Sequence, residues 1–379
     1  PNPKPQTPNP KPQTQNPLFS VKIVMDSKKK ECFKCKQKST FVYKNGLFVC
    51  RECFVGHVML RRLRSFLRNE LQNFGRDNKY YVLADGSIGS LCLLKMLQLS
   101  IAEDAVFKRK MFLQFEAVHV DADRLCEKLA LPPSNSTERV KEFCQSLGVA
   151  VNVYPVLEDA EFEEWAELGL KTSVKGGFRQ EFLQALIRRK RALVCAGKKL
   201  LLPDFAEACS IKALYLLSTC RQGDLLRECS PSFLTLEGGI EARPLIEFQE
   251  RELLYFAYGF QFFKFLAPAS VREEGEDETI FTLMSSFVTD LQGENFSTSS
   301  AILKTMERLA PPELPKTENF VEDFRGNPKK VKQALETNEL EPSEETTFKV
   351  CPMCAMIFES RDSALCKGCR IMFGQRLKA

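Results

Sequence analysis

The chain has 379 residues, of which 44% are hydrophobic and 27% are charged, so it is long enough for about two or three globular domains. Its net charge of +5 is compatible with a polyanionic partner but does not require one. No run of about 18 apolar residues occurs, and the first twenty residues lack the basic start and apolar run of a signal peptide, so we expect neither a membrane span nor secretion.

The chain begins with a Pro-rich tail that is followed by a cysteine module. Residues 1–30 contain the near-repeat 2–8 and 9–15, a low-complexity pattern that predicts disorder. The module has the spacing Cys32-x2-Cys35-x14-Cys50-x2-Cys53. Two Cys-x-x-Cys turns supply four thiolates in a tetrahedron about 2.3 Å from a zinc ion, and they leave no position for water. We therefore predict a structural zinc site.

A helix is predicted over residues 55–73, because apolar residues such as Leu60, Leu63 and Leu67 recur at intervals of three and four residues. Four arginines, which we call the first basic cluster, lie among them: Arg61, Arg62, Arg64 and Arg68. Phosphate contacts from such residues give nucleic-acid binding most of its affinity. The alternative is an ordinary solvated helix face. We assign residues 31–75 to the cysteine module and this basic helix.

Residues 76–266 are predicted to form an α/β domain with a parallel sheet and helices on both faces, because strands and helices alternate. Strands are expected at 80–84, 115–120, 149–153 and, in one short segment, 192–195 with 199–202; helices are expected at 90–99, 139–147, 178–190 and 201–217. A second basic cluster lies in this domain and has the same two interpretations as the first: Arg188, Arg189, Lys190 and Arg191.

The rest of the chain is predicted to hold a helical extension with an acidic linker, residues 267–348, and a second cysteine module, residues 349–379. The spacing Cys351-x2-Cys354-x11-Cys366-x2-Cys369 predicts a second structural zinc ion. The other seven of the 15 cysteines are expected in the apolar core: Cys92, Cys126, Cys144, Cys195, Cys209, Cys220 and Cys229. Metal binding without a disulfide framework favours a reducing compartment.

A glycine-containing turn joins the first predicted strand of the α/β domain to a helix. Its residues are Asp85, Gly86, Ser87, Gly89 and Ser90, with Ile88 between them. A strand, a Gly/Ser turn and a helix N-terminus form a phosphate-binding arrangement, although neither the Walker spacing nor the dinucleotide fingerprint is present. The alternative is a tight connection in which Ser90 caps the helix.

This turn resembles the Ser-Gly-Gly-x-Asp-Ser pyrophosphate loop (PP-loop) of ATP pyrophosphatases that adenylate tRNA bases before sulfur is delivered. Only Gly86 and Ser90 agree with that motif; Asp85 stands at the first Ser, Ser87 at the second Gly and Gly89 at the Asp. An altered loop between two zinc modules is similar to the cytoplasmic tRNA 2-thiolation protein 2 family. The segment Arg243-Pro-Leu245, the stretches 287–292, 297–299 and 305–309, and both cysteine modules also resemble that family.

The departures from the catalytic relatives argue against catalysis by this chain. A later Gly-His-Asn-x-x-Asp-Asp-type segment of those enzymes corresponds to residues 201–207, which contain no histidine and no aspartate pair. The carboxylate of Asp85 is expected to repel phosphate, at a cost of several kcal/mol in a pocket of low dielectric constant. These changes speak against ATP as a cofactor.

The resemblance implies a PP-loop ATP-pyrophosphatase-like fold with zinc modules at both ends and a cytoplasmic, non-catalytic role. It implies that the chain pairs with a catalytic thiouridylase subunit as a heterodimer, helps to bind tRNA, and so supports 2-thiolation of wobble uridine 34. The two basic clusters are the candidate tRNA contacts, and the resemblance favours the first of them. The sulfur would come from a ubiquitin-related carrier protein. Two alternatives remain: an active ATP-dependent tRNA sulfurtransferase that uses Gly86, Ser87 and Ser90 with Cys144 or Cys195 as a persulfide carrier, and a zinc-ribbon scaffold in another nucleic-acid complex.

Overall fold

A computed structural model describes residues 31–39, 41–42, 47–71, 79–106, 114–132, 135–171, 176–219, 221, 225–234, 239–266, 279–309, 348–350 and 357–359. The predicted tail 1–30, most of the acidic linker, Cys220 and the four cysteines of the second module lie outside the described residues. The chain divides into two compact units between Phe54 and Val55, and each is described by itself.

The first unit is built on a short antiparallel hairpin. Strand β1 (Phe41–Val42) pairs with β2 (Phe48–Val49), with Phe41 opposite Val49. The one-turn helix α1 (Arg51–Cys53) follows directly, and the Sγ atom of Cys50 accepts the Cys53 N–H at 3.5 Å. This hairpin and turn carry the cysteines of the first module.

The helix predicted over 55–73 is confirmed through Leu71. It consists of a π-helical stretch (Phe54–Leu60), α2 (Arg61–Phe66) and a second π-helical stretch (Leu67–Leu71). The apolar residues Met59, Leu60, Leu63 and Leu67 are buried, as their spacing predicts.

The second unit contains a six-stranded sheet in the order β5-β4-β3-β6-β8-β7. All neighbouring strands are parallel except β7, which pairs antiparallel with β8 at the edge. The bounds are β3 Lys79–Leu83, β4 Gln114–Asp121, β5 Val151–Pro155, β6 Lys199–Leu201, β7 Ser232–Leu234 and β8 Ile240–Ala242. The predicted parallel sheet with alternating helices is therefore confirmed.

The helices of this unit cover the sheet and extend beyond it. Their bounds are α3 Ile88–Val106, α4 Asp123–Lys128, α5 Ser136–Leu147, α6 Ala160–Lys171, α7 Gly176–Val194, α8 Ala206–Ser218, α9 Leu225–Cys229, α10 Glu250–Phe260, α11 Ile280–Glu294 and α12 Thr298–Leu309. Short 3-10 turns occur at Val156–Glu158 and Phe263–Phe265. No described helix is long and apolar enough to cross a membrane.

Two details of the prediction are wrong. Residues 192–194, expected in a strand, form the last turn of α7, because a short apolar run fits a buried helix as well as a strand. The helix expected from residue 201 begins only at Ala206, because Pro203 and the strand pairing of Leu201 hold the preceding residues extended.

The core lies between the sheet and its helices, where Val82, Val118 and Leu200 of adjacent strands are buried. Helix α3 contributes a run in which Leu91, Leu94 and Leu97 have no exposed surface. Helices α11 and α12 pack against α8, with Met306 joining a separate apolar cluster around Leu216 and Ala213. A two-stranded antiparallel pair, β9 (Phe348–Val350) and β10 (Ile357–Glu359), completes the described chain.

Candidate functional site

The four cysteines of the first module converge on one point. Their Sγ atoms all lie within 4.8 Å of one another, and those of Cys35 and Cys50 are 3.4 Å apart. Backbone hydrogen bonds shape the first turn: Lys36 N–H donates to the Cys32 carbonyl at 3.0 Å, and Cys32 N–H donates to the Gln37 carbonyl at 2.7 Å. A left-handed residue, Lys36 with φ of 63°, closes that turn.

The sulfur geometry fits a single metal ion. Four sulfurs placed tetrahedrally about 2.3 Å from a zinc ion are separated from one another by about 3.8 Å. Burial raises the pKa of the Cys50 thiol and raises that of Cys53 to about 12, so the cluster disfavours uncompensated thiolate charge. For Cys32, burial acts in the same direction, but hydrogen bonds from backbone N–H groups outweigh it and lower the pKa to about 6. A cation between the sulfurs would stabilise all four thiolates, so the cluster can hold a metal ion.

The described cysteines outside the module are buried thiols. Burial raises the pKa of Cys126, Cys144 and Cys195 to about 11 and that of Cys229 to about 12, and it also raises those of Cys92 and Cys209. Since the thiolate is the nucleophile, these residues are poor sulfur carriers at neutral pH. Burial therefore disfavours the thiolate form that the sulfurtransferase alternative requires of Cys144 and Cys195.

The altered loop follows strand β3. Two of its side chains accept hydrogen bonds from backbone N–H groups of the loop itself. The Asp85 carboxylate accepts the Ser87 N–H at 2.9 Å, and the Ser87 hydroxyl accepts the Ser90 N–H at 3.3 Å. The cap of helix α3 is thus Ser87, whereas Ser90 donates its hydroxyl to the Ser87 carbonyl at 2.9 Å. Gly86 has a φ of 80°, a conformation that glycine adopts without strain.

Gly89 lies directly against the segment that corresponds to the later nucleotide-binding motif. A Cβ atom at Gly89 would be 3.2 Å from the Pro203 carbonyl carbon and would collide with its oxygen. Any side chain at this position, including the aspartate of the PP-loop motif, therefore requires the Pro203 backbone to move. The two places where the sequence departs from the catalytic pattern, Gly89 and the segment 201–207, are therefore in contact with each other. Comparing each motif separately does not reveal this contact.

The carboxylates of the 201–207 segment are engaged with the protein itself. Asp204 pairs with Lys212 at 2.8 Å and with Arg243 at 3.3 Å; burial opposes its charge, but these cations lower its pKa below the ordinary value. Glu207 accepts the Glu250 N–H at 3.0 Å, and burial raises its pKa to about 7. Neither carboxylate is arranged around a shared metal position in the described residues.

The first basic cluster divides into anchored and exposed residues. Arg62 donates to both carboxylate oxygens of Glu252, at 3.1 and 3.0 Å, and to the Glu247 carbonyl, and its guanidinium lies 4.0 Å from the Phe248 ring centre. Arg64 is half-buried, whereas Arg61 and Arg68 are exposed. Arg61 and Arg68 are thus the members best placed to reach a phosphate.

The second basic cluster is paired with carboxylates inside the unit. Arg188 pairs with Glu228 at 3.2 Å, Arg189 with Glu161 at 3.9 Å, Lys190 with Asp159 at 2.6 Å and Arg191 with Glu241 at 3.2 Å. Lys190 and Arg191 are only 5% and 7% exposed. These contacts account for the four charges structurally, because desolvated cations require such partners.

Two sets of residues were not assigned a role from the sequence. Arg243, which lies in the family-like Arg-Pro-Leu segment, has no exposed surface and donates to Asp204 and to the Ser230 carbonyl. In the first unit, Lys34, Lys36 and Lys38 are all exposed beside Phe33, whose exposed fraction is 48%. The alternation of lysine with other residues around Cys35 is the signal that would have indicated this second group.

These features define a fold: a PP-loop ATP-pyrophosphatase-like α/β fold with a four-cysteine module near the N-terminus. The predicted fold class is thereby confirmed for the described residues, which do not include the second cysteine module. Among solved structures, the chain is similar to the U34-tRNA thiolase NcsA from Methanococcus maripaludis, determined with its [4Fe-4S] cluster. The TM-score is 0.53 at 16% identity, and the match covers 74% of this chain and 88% of that one.

Sequence comparison leads to a more particular relative. The chain is 25% identical over 306 residues to cytoplasmic tRNA 2-thiolation protein 2 of Drosophila willistoni, with 74% of each chain covered. It is 26% identical over 311 residues to the protein of that name from Drosophila ananassae, which covers 77% of this chain and 76% of the relative. The predicted resemblance to the tRNA 2-thiolation protein 2 family is thereby confirmed. No protein-family model matches the chain.

Proposed function

We propose that this chain is a cytoplasmic, non-catalytic subunit in the 2-thiolation of wobble uridine 34 of tRNA. It forms a heterodimer with a catalytic thiouridylase subunit and helps that subunit to bind tRNA, while a ubiquitin-related carrier protein supplies the sulfur. The similarity to cytoplasmic tRNA 2-thiolation protein 2 supports the pathway and the location.

The observation that carries the non-catalytic role is the contact between Asp85 and the Ser87 N–H. A phosphate-binding loop offers its N–H groups to an anion. Here a carboxylate of the loop itself occupies such a donor, and a bound nucleotide would have to displace it against like-charge repulsion. In addition, the Pro203 carbonyl leaves no room at position 89 for the aspartate that the PP-loop motif has there. Residues 76–266 therefore act as a degenerate nucleotide-binding domain.

The metal of the first module is proposed to be zinc. Four thiolates fill a tetrahedral site, which suits a structural role and leaves no open position for chemistry. A four-iron cluster is larger than one ion and holds its cysteine sulfurs further apart. The separations of 4.8 Å or less favour the single ion. The second module, Cys351, Cys354, Cys366 and Cys369, is proposed to bind zinc on its spacing alone.

Contact with tRNA is proposed for the exposed members of the first basic cluster, Arg61 and Arg68, with Arg64 beside them in the sequence. The second cluster is not included, because each of its members is paired with a carboxylate of the same unit. Each phosphate contact contributes affinity without sequence information. Recognition of particular tRNAs is then shared with the catalytic subunit.

Reconstitution tests this function. Three samples are compared: the purified chain, the catalytic subunit and their mixture. Each is incubated with unmodified tRNA, ATP and a sulfur donor, and the 2-thiouridine formed is quantified by mass spectrometry. We expect product only when the catalytic subunit is present and more of it, with tighter tRNA binding, in the mixture. Product from this chain alone would overturn the non-catalytic assignment, and an unaltered rate with no co-purification would overturn the subunit assignment.

A further inference from the structure

We propose that the first cysteine turn binds unpaired nucleotides of RNA, with a base stacked on Phe33 and the phosphates held by the neighbouring lysines. We call this surface the knuckle face; it consists of Phe33, Lys34, Lys36 and Lys38. The inference rests on the proposed function in that tRNA is the ligand, and it assigns a contact that differs from the arginines of the first basic cluster.

Phe33 presents an exposed aromatic ring on a hydrogen-bonded backbone. Phe33 is 48% exposed although it stands next to Cys32, which has no exposed surface. Its backbone N–H donates to the Phe48 carbonyl at 2.9 Å, so the hairpin fixes the residue in place. An aromatic side chain on a fixed backbone loses little conformational entropy when it binds a flat partner.

The knuckle face is also positively charged. Lys34, Lys36 and Lys38 are exposed, and among the described residues no carboxylate forms an ion pair with any of them. Residues 28–30, immediately before the module, are three further lysines in the sequence. The three exposed lysines of the knuckle face, together with the exposed ring, complement a phosphodiester chain rather than a neutral apolar surface.

The exposed ring favours single-stranded RNA as the form that is bound. Base–aromatic stacking needs an accessible base face, which loops and free ends offer and a continuous duplex does not. The knuckle face combines one stacking ring with several cations, which is the arrangement that proteins use for unpaired strands. An acidic protein segment would use the lysines but would gain nothing from the planarity of the ring.

Fluorescence anisotropy with the full chain tests the proposal, with a labelled oligouridylate of about 12 nucleotides as the probe and an RNA duplex of equal length for comparison. Phe33→Leu, which keeps an apolar side chain but removes the ring, is expected to bind the single strand at least about fivefold more weakly, while Phe33→Trp keeps wild-type affinity. Replacing Lys34, Lys36 and Lys38 by alanine is expected to reduce the slope of log affinity against log salt by about 2.

The matched control is Phe287→Leu, which alters a phenylalanine of similar exposure, 51%, on helix α11. Metal content measured on every variant separates loss of stacking from loss of the module. Equal binding by Phe33→Leu and Phe287→Leu at wild-type metal content would overturn the proposal, as would failure of the wild-type chain to bind the oligouridylate. If reconstituted thiolation proceeds but the expected differences in RNA binding are not found, the RNA-binding role of the knuckle face is overturned and the proposed function is retained.

Discussion

Replacing Gly89 by alanine tests whether the Pro203 carbonyl leaves room for a side chain at position 89 of the altered loop. Alanine favours a helix over glycine by about 1 kcal/mol, so the change is stabilising in the absence of a neighbour. Here the new Cβ would lie closer than 3.0 Å to the Pro203 carbonyl oxygen, and relieving that overlap requires a backbone shift. Overpacking of this kind costs about 1–3 kcal/mol and exceeds the propensity gain in most of that range.

Gly293→Ala is the matched control, because Gly293 also lies in a helix and a Cβ there would meet nothing within 4 Å. Urea unfolding can be followed by the fluorescence of Trp165, the only tryptophan, which packs against the core of the α/β domain. The overpacking cost less the propensity gain predicts that Gly89→Ala lowers the free energy of unfolding by up to about 2 kcal/mol, and we expect Gly293→Ala to leave it unchanged or raise it. Equal effects of the two substitutions would refute the reasoning about Pro203.

Three further predictions concern the anchors of the site. Arg62→Ala breaks a largely buried ion pair and should lower the free energy of unfolding by about 2 kcal/mol or more, whereas Arg61→Ala should change it by less than about 0.5 kcal/mol but weaken tRNA binding in a filter assay. Burial raises the pKa of Glu207 from 4.5 to about 7, so its folded state prefers the proton; its contribution to stability should be complete below pH 4.5 and lost as the pH rises towards 7. Glu207→Gln should flatten that pH dependence in thermal unfolding, and an unchanged profile would disprove the assignment. Cys50→Ala should remove one metal equivalent by elemental analysis, with Cys92→Ala as the control that retains it; full metal content in the first variant would contradict the site.

The features that the sequence predicted well are local. Cysteine spacing around Cys32 and Cys50 depends on two tight turns, so four converging sulfurs can be expected from the pattern alone. The alternation of strands and helices likewise predicts the parallel sheet, because each element has its own period of apolar residues. The altered loop was visible because it consists of six consecutive residues that follow strand β3 and run into the first turn of helix α3.

The features that the sequence did not predict depend on contacts between distant residues. From the sequence, Arg191 is predicted to be part of a basic surface. In the structure it pairs with Glu241, which lies 50 positions away in the chain. The closure of the loop by Pro203 depends on the packing of residue 203 against residue 89. The helix cap at Ser87 rather than Ser90 was a choice between neighbours that only the backbone path decides.

We propose that the chemistry belongs to the catalytic partner and not to this chain. The most direct measurement counts 2-thiouridine formed by two reconstituted complexes, one with the partner's pyrophosphate loop disabled and the other with Ser87→Ala in this chain. The account predicts no product from the first complex and wild-type product from the second, once association of the subunits is verified. Product from the first complex, or its loss from an intact second complex, would contradict the account.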